Sequence, residues 1–284
     1  MSYIVAIDQG TTSTRSIVFD RDMKPLNTSQ KEFKQYFQKS GWVEHDPKDL
    51  WDSTVSTFKE ALNRSNLVAS DVSAIGITNQ RETTLVWDPK TGQCLSKAIV
   101  WQDRRTSDFC KRLKEQSYEE MVKRKTGLFL DPYFSSTKIN WLLNHIPDGL
   151  VRAKKGELIF GTVDTYLIWK LTAGRAHVTD ATNAARTMLF NINENCWDEE
   201  ICNLMDVPMI MLPKVLDSAD YFGEVEETIF GAKIPIMGVA GDQQAATLGQ
   251  ACIEPGMIKS TYGTGCFSLM NTGPRLIRSK NKML

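Results

Sequence analysis

Short apolar runs punctuate the first hundred residues at intervals that suit strands, and longer periodic stretches that suit helices fill much of the remaining chain. Residues 3–7 (YIVAI), 16–20 (SIVFD) and 26–33 (LNTSQKEF) are brief runs, apolar or alternating, and predict three consecutive strands joined as a meander. Asp46-Pro47 then offers an N-cap followed by proline at the first helical position. Leu50, Trp51, Val55, Phe58 and Leu62 recur at helical spacing, which predicts an amphipathic helix over 47–63. The runs at 72–78 (VSAIGIT), 83–87 (TTLVW) and 97–101 (KAIVW) predict further strands. Helical patterns cover 104–115, 117–125, 136–145 and 164–171. A strand returns over 234–240, followed by a helix over 243–251. Residues 257–271 then read as strand, Thr/Gly turn, strand, a hairpin of the same plan as the opening one.

Three strands, a helix and another strand are the layout of a ribonuclease-H-like α/β domain, with a mixed sheet and flanking helices. Residues 1–252 are expected to form that domain. A hairpin alone cannot bury a core, so residues 253–284 are expected to open a second domain of the same kind, cut off soon after it begins. Composition acts mainly by exclusion. A hydrophobic content of 42% and a charged content of 24% suit a soluble globular protein. Lys plus Arg and Asp plus Glu each total 34, so no basic excess points to nucleic acid. The longest apolar stretch, 234–241, is too short to cross a bilayer. Strand-like residues follow Met1 at once, so no signal or transit peptide is expected. Cys94, Cys110, Cys196, Cys202, Cys252 and Cys266 form no CxxC pair and no zinc-like spacing with His45, His145 or His177. Reduced thiols in a cytoplasmic protein are expected.

The chain has no GxxxxGK[ST] and no GxGxxG opening a helix, so phosphate binding falls to other loops. Residues 8–15 (DQGTTSTR) hold one acid, one glycine, four hydroxyls and an arginine, far more hydrogen-bonding capacity than a hairpin turn requires. Thr261-Tyr262-Gly263-Thr264-Gly265 is a second candidate. Either alone fits an ordinary turn, but two such hairpins bracketing one α/β domain could hold a triphosphate between them. Between two predicted strands, Asn79, Gln80, Arg81 and Glu82 gather where ligands bind in α/β sheets. Arg81 beside Glu82 suits the hydroxyls of a neutral polyol, or else forms an exposed ion pair. Asp242 stands between a buried strand and a helix, as a general base or as an N-cap. Trp101, Tyr133 and Phe134 lie beside polar residues, as a ligand wall or as core.

DQGTTSTRSIVFD, GWVEHDP, GITNQRETT, IVWQDRR, DPYFSSTK, HVTDATNAARTMLFNI, AGDQQAA and TYGTGCFSLMNTG together resemble the FGGY carbohydrate kinases, on the branch that acts on glycerol. These enzymes share the two-domain fold of hexokinase, Hsp70 and actin. The likeness runs along essentially the whole chain in the same order. Many members share the DxGTxxxR opening, whereas NQRETT, DPYFS and GDQQAA distinguish the glycerol branch from pentulose and hexulose kinases. The resemblance implies ATP with Mg²⁺ as phosphate donor, glycerol as the small-molecule substrate, sn-glycerol 3-phosphate as product, and a homodimer or homotetramer. It implies that Asp8 helps to hold the Mg²⁺, that Thr11, Thr12, Ser13 and Arg15 cradle the phosphates, and that Gly263 and Thr264 close the second phosphate loop. Arg81, Glu82, Tyr133, Asp242 and Gln243 would hydrogen-bond glycerol, with Trp101 and Phe267 walling its carbons. Asp242 would take the proton from the attacking hydroxyl. Ala185 and Ser136 depart mildly from the pattern. Residues 226–233 contain neither the phosphorylatable histidine nor the glycine-rich loop through which some relatives are regulated. A pentulose or hexulose kinase, and an actin- or Hsp70-like switch transferring phosphate only to water, are the competing readings.

Overall fold

Alternation places the sheet at the centre: in β1 (Tyr3–Gln9) Val5, Ile7 and Gln9 point the same way and are fully buried. The structure is a computed structural model that describes residues 2–263, 265–279, 281 and 283. β2 (Ser13–Phe19) and β3 (Pro25–Glu32) complete the expected antiparallel meander. α1 (Pro47–Arg64) begins as the sequence predicts, with Asp46 accepting a hydrogen bond from the Lys48 N–H at 3.0 Å and Pro47 in the first turn. A cap of this kind contributes about 1 kcal/mol. The helix buries Leu50, Phe58 and Ala61 and fastens to β2 through two buried hydroxyl pairs, Thr14–Ser53 at 2.7 Å and Ser16–Thr57 at 2.9 Å. It returns the chain to β4 (Val72–Asn79), which runs parallel to β1.

Beyond β4 the strands are shorter than their apolar runs predict. The strands expected over 83–87 and 97–101 shrink to Leu85–Trp87 and Ala98–Ile99, and neither joins the central sheet. The Thr83 hydroxyl donates to Gln80 Oε1 and the Thr84 hydroxyl to the Glu82 carbonyl, while the Thr84 backbone pairs with Ile99 in an antiparallel bridge, so the two segments pair with each other rather than with the sheet. The expected helices are present as α2 (Ser107–Glu115), α3 (Glu119–Thr126), α4 (Ser135–His145) and α5 (Val163–Leu171). Val86, Leu142, Leu158 and Leu189 belong to a second apolar core, separate from the one beneath the sheet. Residues 226–233 include one helical turn, Glu227–Phe230, whose Phe230 stacks on Phe58 with ring centres 3.9 Å apart.

β5 (Pro235–Gly241) rejoins the sheet parallel to β4, and α6 (Asp242–Gly249) follows without a loop. The strand order is Gly223–Glu224, β5, β4, β1, β2, β3, with only β2, β3 and the Gly223–Glu224 edge pairing antiparallel. This is the ribonuclease-H-like sheet predicted from the pattern. The last hairpin is β6 (Ile258–Tyr262) and β7 (Cys266–Met270). All six cysteines are free thiols, and among the described residues no helix is long and apolar enough to cross a membrane.

Candidate active site

The three parallel strands end side by side. Gln9 of β1 lies opposite Asn79 of β4, and Asn79 lies opposite Gly241 of β5. Carboxyl ends of parallel strands are where α/β sheets bind ligands. Buried amides hold these ends level. Gln80 Nε2 donates to Gln9 Oε1 at 3.0 Å and to the Gly10 carbonyl at 2.8 Å. Asn79 and Asn183 exchange amide hydrogen bonds at 3.0 and 3.1 Å. Asp180 accepts from Asn183 and from the Thr182 hydroxyl, which itself accepts from the Gly241 N–H at 2.8 Å. The segment around Asp180 thus ties the end of β4 to the end of β5.

A cleft of about 450 Å³ opens over these ends. Asp8, Gly10, Thr11 and Arg15 of the first hairpin form one wall, and Arg81, Glu82, Asp242 and Gln243 form the floor. Trp101, Tyr133 and Phe267 bring aromatic faces, with Trp101 5.5 Å from Tyr133 and 6.2 Å from Phe267 between ring centres. The Trp101 indole N–H donates to the Thr11 hydroxyl at 2.9 Å, joining the aromatic wall to the first hairpin. Gly265 leaves room for the Phe267 ring to fold back over its own hairpin, since a Cβ there would lie 2.6 Å from that ring.

The charges in the floor are buried and crossed. Arg81 is 5% exposed, and its Nε lies 3.2 Å from Asp242 Oδ1 but 4.0 Å from Glu82. Arg81 and Asp242 are within ion-pair distance, yet the buried atoms Arg81 Nε and Asp242 Oδ1 complete no hydrogen bond with each other, while both side chains line the cleft. Arg81 lies across the end of β5, where a Cβ on Gly241 would come within 2.6 Å of its Cδ. Glu82 has left-handed backbone (φ 63°), and its carboxylate accepts from Arg186 Nε at 2.7 Å. Burial raises the Asp242 pKa, with Arg81 opposing and Glu82 adding to the rise. Burial likewise raises Asp8, against the nearby Arg15. Tyr133 is pushed well above its ordinary value, first by burial and then by the Glu82 charge.

Several expectations need correction. Arg81 and Glu82 are not an exposed ion pair: burial forces each onto a separate partner. Asp242 is not the N-cap of α6; Gly241 holds that position and Asp242 is the first helical residue. Residues 8–15 are mostly strand, since only Gly10, Thr11 and Thr12 lie outside β1 and β2. Strand alternation sends the Thr14 hydroxyl to Ser53 in the core, away from the cleft. Thr12 and Ser13 are not in the cleft wall, and Ser13 and Arg15 both bond Gln30 on β3. Gln243 does line the cleft, but its Oε1 accepts from Lys259 Nζ at 2.5 Å. Gly263 is in the wall; Thr264 falls outside the described residues. Among the described residues no group of three or more His, Cys, Asp or Glu side chains could hold a metal. The lone Asp8 carboxylate fits an Mg²⁺ that arrives with a nucleotide, since such ions keep several waters and need one or two protein carboxylates. Arg186 and Lys138 lie within motifs that carry the resemblance, yet the sequence marks neither as functional, because a charged residue read in isolation defaults to a solvated face.

Residues 3–249 match the FGGY family of carbohydrate kinases, N-terminal domain. The chain is 61% identical to a glycerol kinase of Rhizobium meliloti (strain 1021) over 282 residues, covering 99% of this chain and 57% of that protein. A glycerol kinase of Chelativorans sp. (strain BNC1) is 60% identical over 282 residues, covering 99% of this chain and 56% of that protein. The chain therefore spans little more than half the length of these relatives. Among solved structures, Plasmodium falciparum glycerol kinase with ADP superposes with a TM-score of 0.93 at 35% identity, over 99% of this chain and 56% of that one. Xylulose kinase from Rhodospirillum rubrum gives a TM-score of 0.84 at 20% identity, over 96% of this chain and 57% of that one, a likeness of fold alone.

Proposed function

The chain belongs to the FGGY family of carbohydrate kinases, and from that premise we propose that it provides the polyol-binding half of an ATP-dependent glycerol kinase. The observation that carries the reading is the buried, incompletely satisfied pair Arg81–Asp242 facing a cleft with Glu82 and an aromatic wall. A neutral triol needs donors, acceptors and an apolar surface for its carbons, and this floor offers all three. A switch that transferred phosphate only to water would leave Arg81, Glu82 and Tyr133 without a task. The names of the relatives and their identities near 60% favour glycerol over a larger sugar.

In this reading a terminal glycerol hydroxyl attacks the γ-phosphorus of ATP. The new O–P bond forms as the bond to the β-phosphate oxygen breaks, and ADP leaves. The Asp242 carboxylate accepts the hydroxyl proton and later releases it to water. Its raised pKa suits that exchange, while Arg81 keeps the carboxylate ionised before reaction. Arg81, Glu82, Tyr133 and Gln243 read the hydroxyls, and Trp101 and Phe267 flank the carbons. Thr11, Arg15 and Gly263, which line the cleft, would bind the phosphates, and the resemblance extends that role to Thr12, Ser13 and Thr264. Asp8 would hold the Mg²⁺ that accompanies ATP, which neutralises phosphate charge when bound. The family match ends at Gly249, which supports a boundary near residue 252 and a second, nucleotide-gripping domain opening at 253.

Arg81→Ala tests the assignment. Removing one partner in a buried site costs about 1–3 kcal/mol, so kcat/KM for glycerol in the full-length protein should fall about ten- to a hundred-fold. Unchanged glycerol efficiency in the variant would remove Arg81 from the site.

A further inference from the structure

Lys138 stands in the first turn of α4 and is 0% exposed. Among the described residues no carboxylate lies within ion-pair distance of it; Glu82, Asp103 and Asp131 act on it only from farther away. Its amine instead faces two backbone carbonyls, Tyr133 at 2.5 Å and Glu82 at 3.4 Å. The Glu82 carbonyl is shared by three donors, since the Thr84 hydroxyl reaches it at 3.0 Å and the Ser135 hydroxyl at 3.1 Å. A carbonyl has two lone pairs, so three donors over-determine its direction. The need is visible in Glu82 itself, whose left-handed backbone is disfavoured for any residue bearing a Cβ. Arg186 fixes the carboxylate end of the same residue, while its guanidinium lies 5.8 Å from the Tyr133 ring centre.

A methionine would fill the same space without burying an amine. Here burial alone drives the lysine pKa down to about 7, a penalty that core packing does not explain. We propose that Lys138 is a positioning residue of the polyol site, donating to the Glu82 and Tyr133 carbonyls so that the two loops present their side chains to substrate in fixed register. The inference rests on the glycerol-binding reading, because Glu82 and Tyr133 matter only if the cleft takes a polyol.

The test is steady-state kinetics of the full-length enzyme carrying Lys138→Met, which keeps the length and removes the donor. KM for glycerol should rise about tenfold or more, in line with losing buried hydrogen bonds, while KM for ATP and kcat stay within about threefold. A packing role would lower thermal stability yet leave KM for glycerol of the folded enzyme unchanged, and that result overturns the proposal. If Lys138→Met does not fold, Lys138→Gln, with a shorter amide able to reach one carbonyl at most, should raise KM for glycerol at least about threefold. A normal KM in that variant, or failure of both variants to fold, also overturns it. A wild type showing no glycerol-dependent ADP formation would sink the kinase reading instead, so the two failures are distinguishable.

Discussion

Asp242→Asn in the full-length enzyme is expected to lower kcat about 10²- to 10⁴-fold, the usual contribution of a positioned general base. Asparagine keeps the shape and can still hydrogen-bond glycerol, so KM for glycerol should change much less than kcat. The pH dependence supplies an internal check. The carboxylate accepts a proton only when ionised, so wild-type kcat should fall as pH drops through the Asp242 pKa, which burial raises above the ordinary aspartate value. The variant has no carboxylate to protonate, and that acid limb should vanish from its residual activity. Near-normal turnover would remove Asp242 from the chemistry and leave it as a charge partner for Arg81, 3.2 Å away.

Residues 1–284 expressed alone are expected to show turnover more than about 10²-fold below the full-length enzyme. Phosphoryl transfer depends on positioning, and misplacing a reacting group by about 1 Å already costs on the order of 10²-fold. The floor of the cleft and the first hairpin belong to this chain, yet it spans only 57% of its Rhizobium meliloti relative. The nucleotide would therefore be held by its phosphates between the two hairpins, without the rest of the second domain proposed above. Leu248, Ile253, Ile258, Tyr262 and Ile277, in the last forty residues, are between 61% and 82% exposed. Apolar surface of that kind favours association, so the isolated chain should also self-associate at high concentration. Glycerol 3-phosphate formation by purified 1–284 within tenfold of the full-length rate would contradict the need for the second domain.

The central sheet is legible in the sequence because its strands follow simple rules. β1 to β4 and α1 alternate or repeat at the right period, and Asp46-Pro47 marks the helix start with two independent signals. Asp242 is legible for a similar reason, since a buried strand passing straight into a helix leaves its first residue at the sheet end. Residues 83–101 mislead because their strand-like runs pair with each other at Thr84–Ile99 and with other short strands, and no local pattern shows that they leave the central sheet. Thr12, Ser13 and Thr14 are indistinguishable among neighbouring hydroxyls, and only the pleat decides that Thr14 faces the core. The pairings of Arg81 with Asp242 and of Glu82 with Arg186 span 161 and 104 residues, beyond any local pattern. Lys138 is hidden for the opposite reason. It sits in an ordinary amphipathic helix, and nothing in its neighbours announces that the amine is turned inward.

The most direct test of the account is the substrate preference of the full-length enzyme, measured as ADP formation with glycerol, xylulose or gluconate as the varied acceptor. The floor built from Arg81, Glu82 and Asp242 beneath Trp101 and Phe267 predicts strictly glycerol-dependent turnover. It also predicts kcat/KM for glycerol at least about a hundredfold above either larger substrate, because the aromatic wall of Trp101, Tyr133 and Phe267 would clash with a five- or six-carbon chain. Comparable efficiency with xylulose or gluconate, or ADP formation that does not require glycerol, would contradict it.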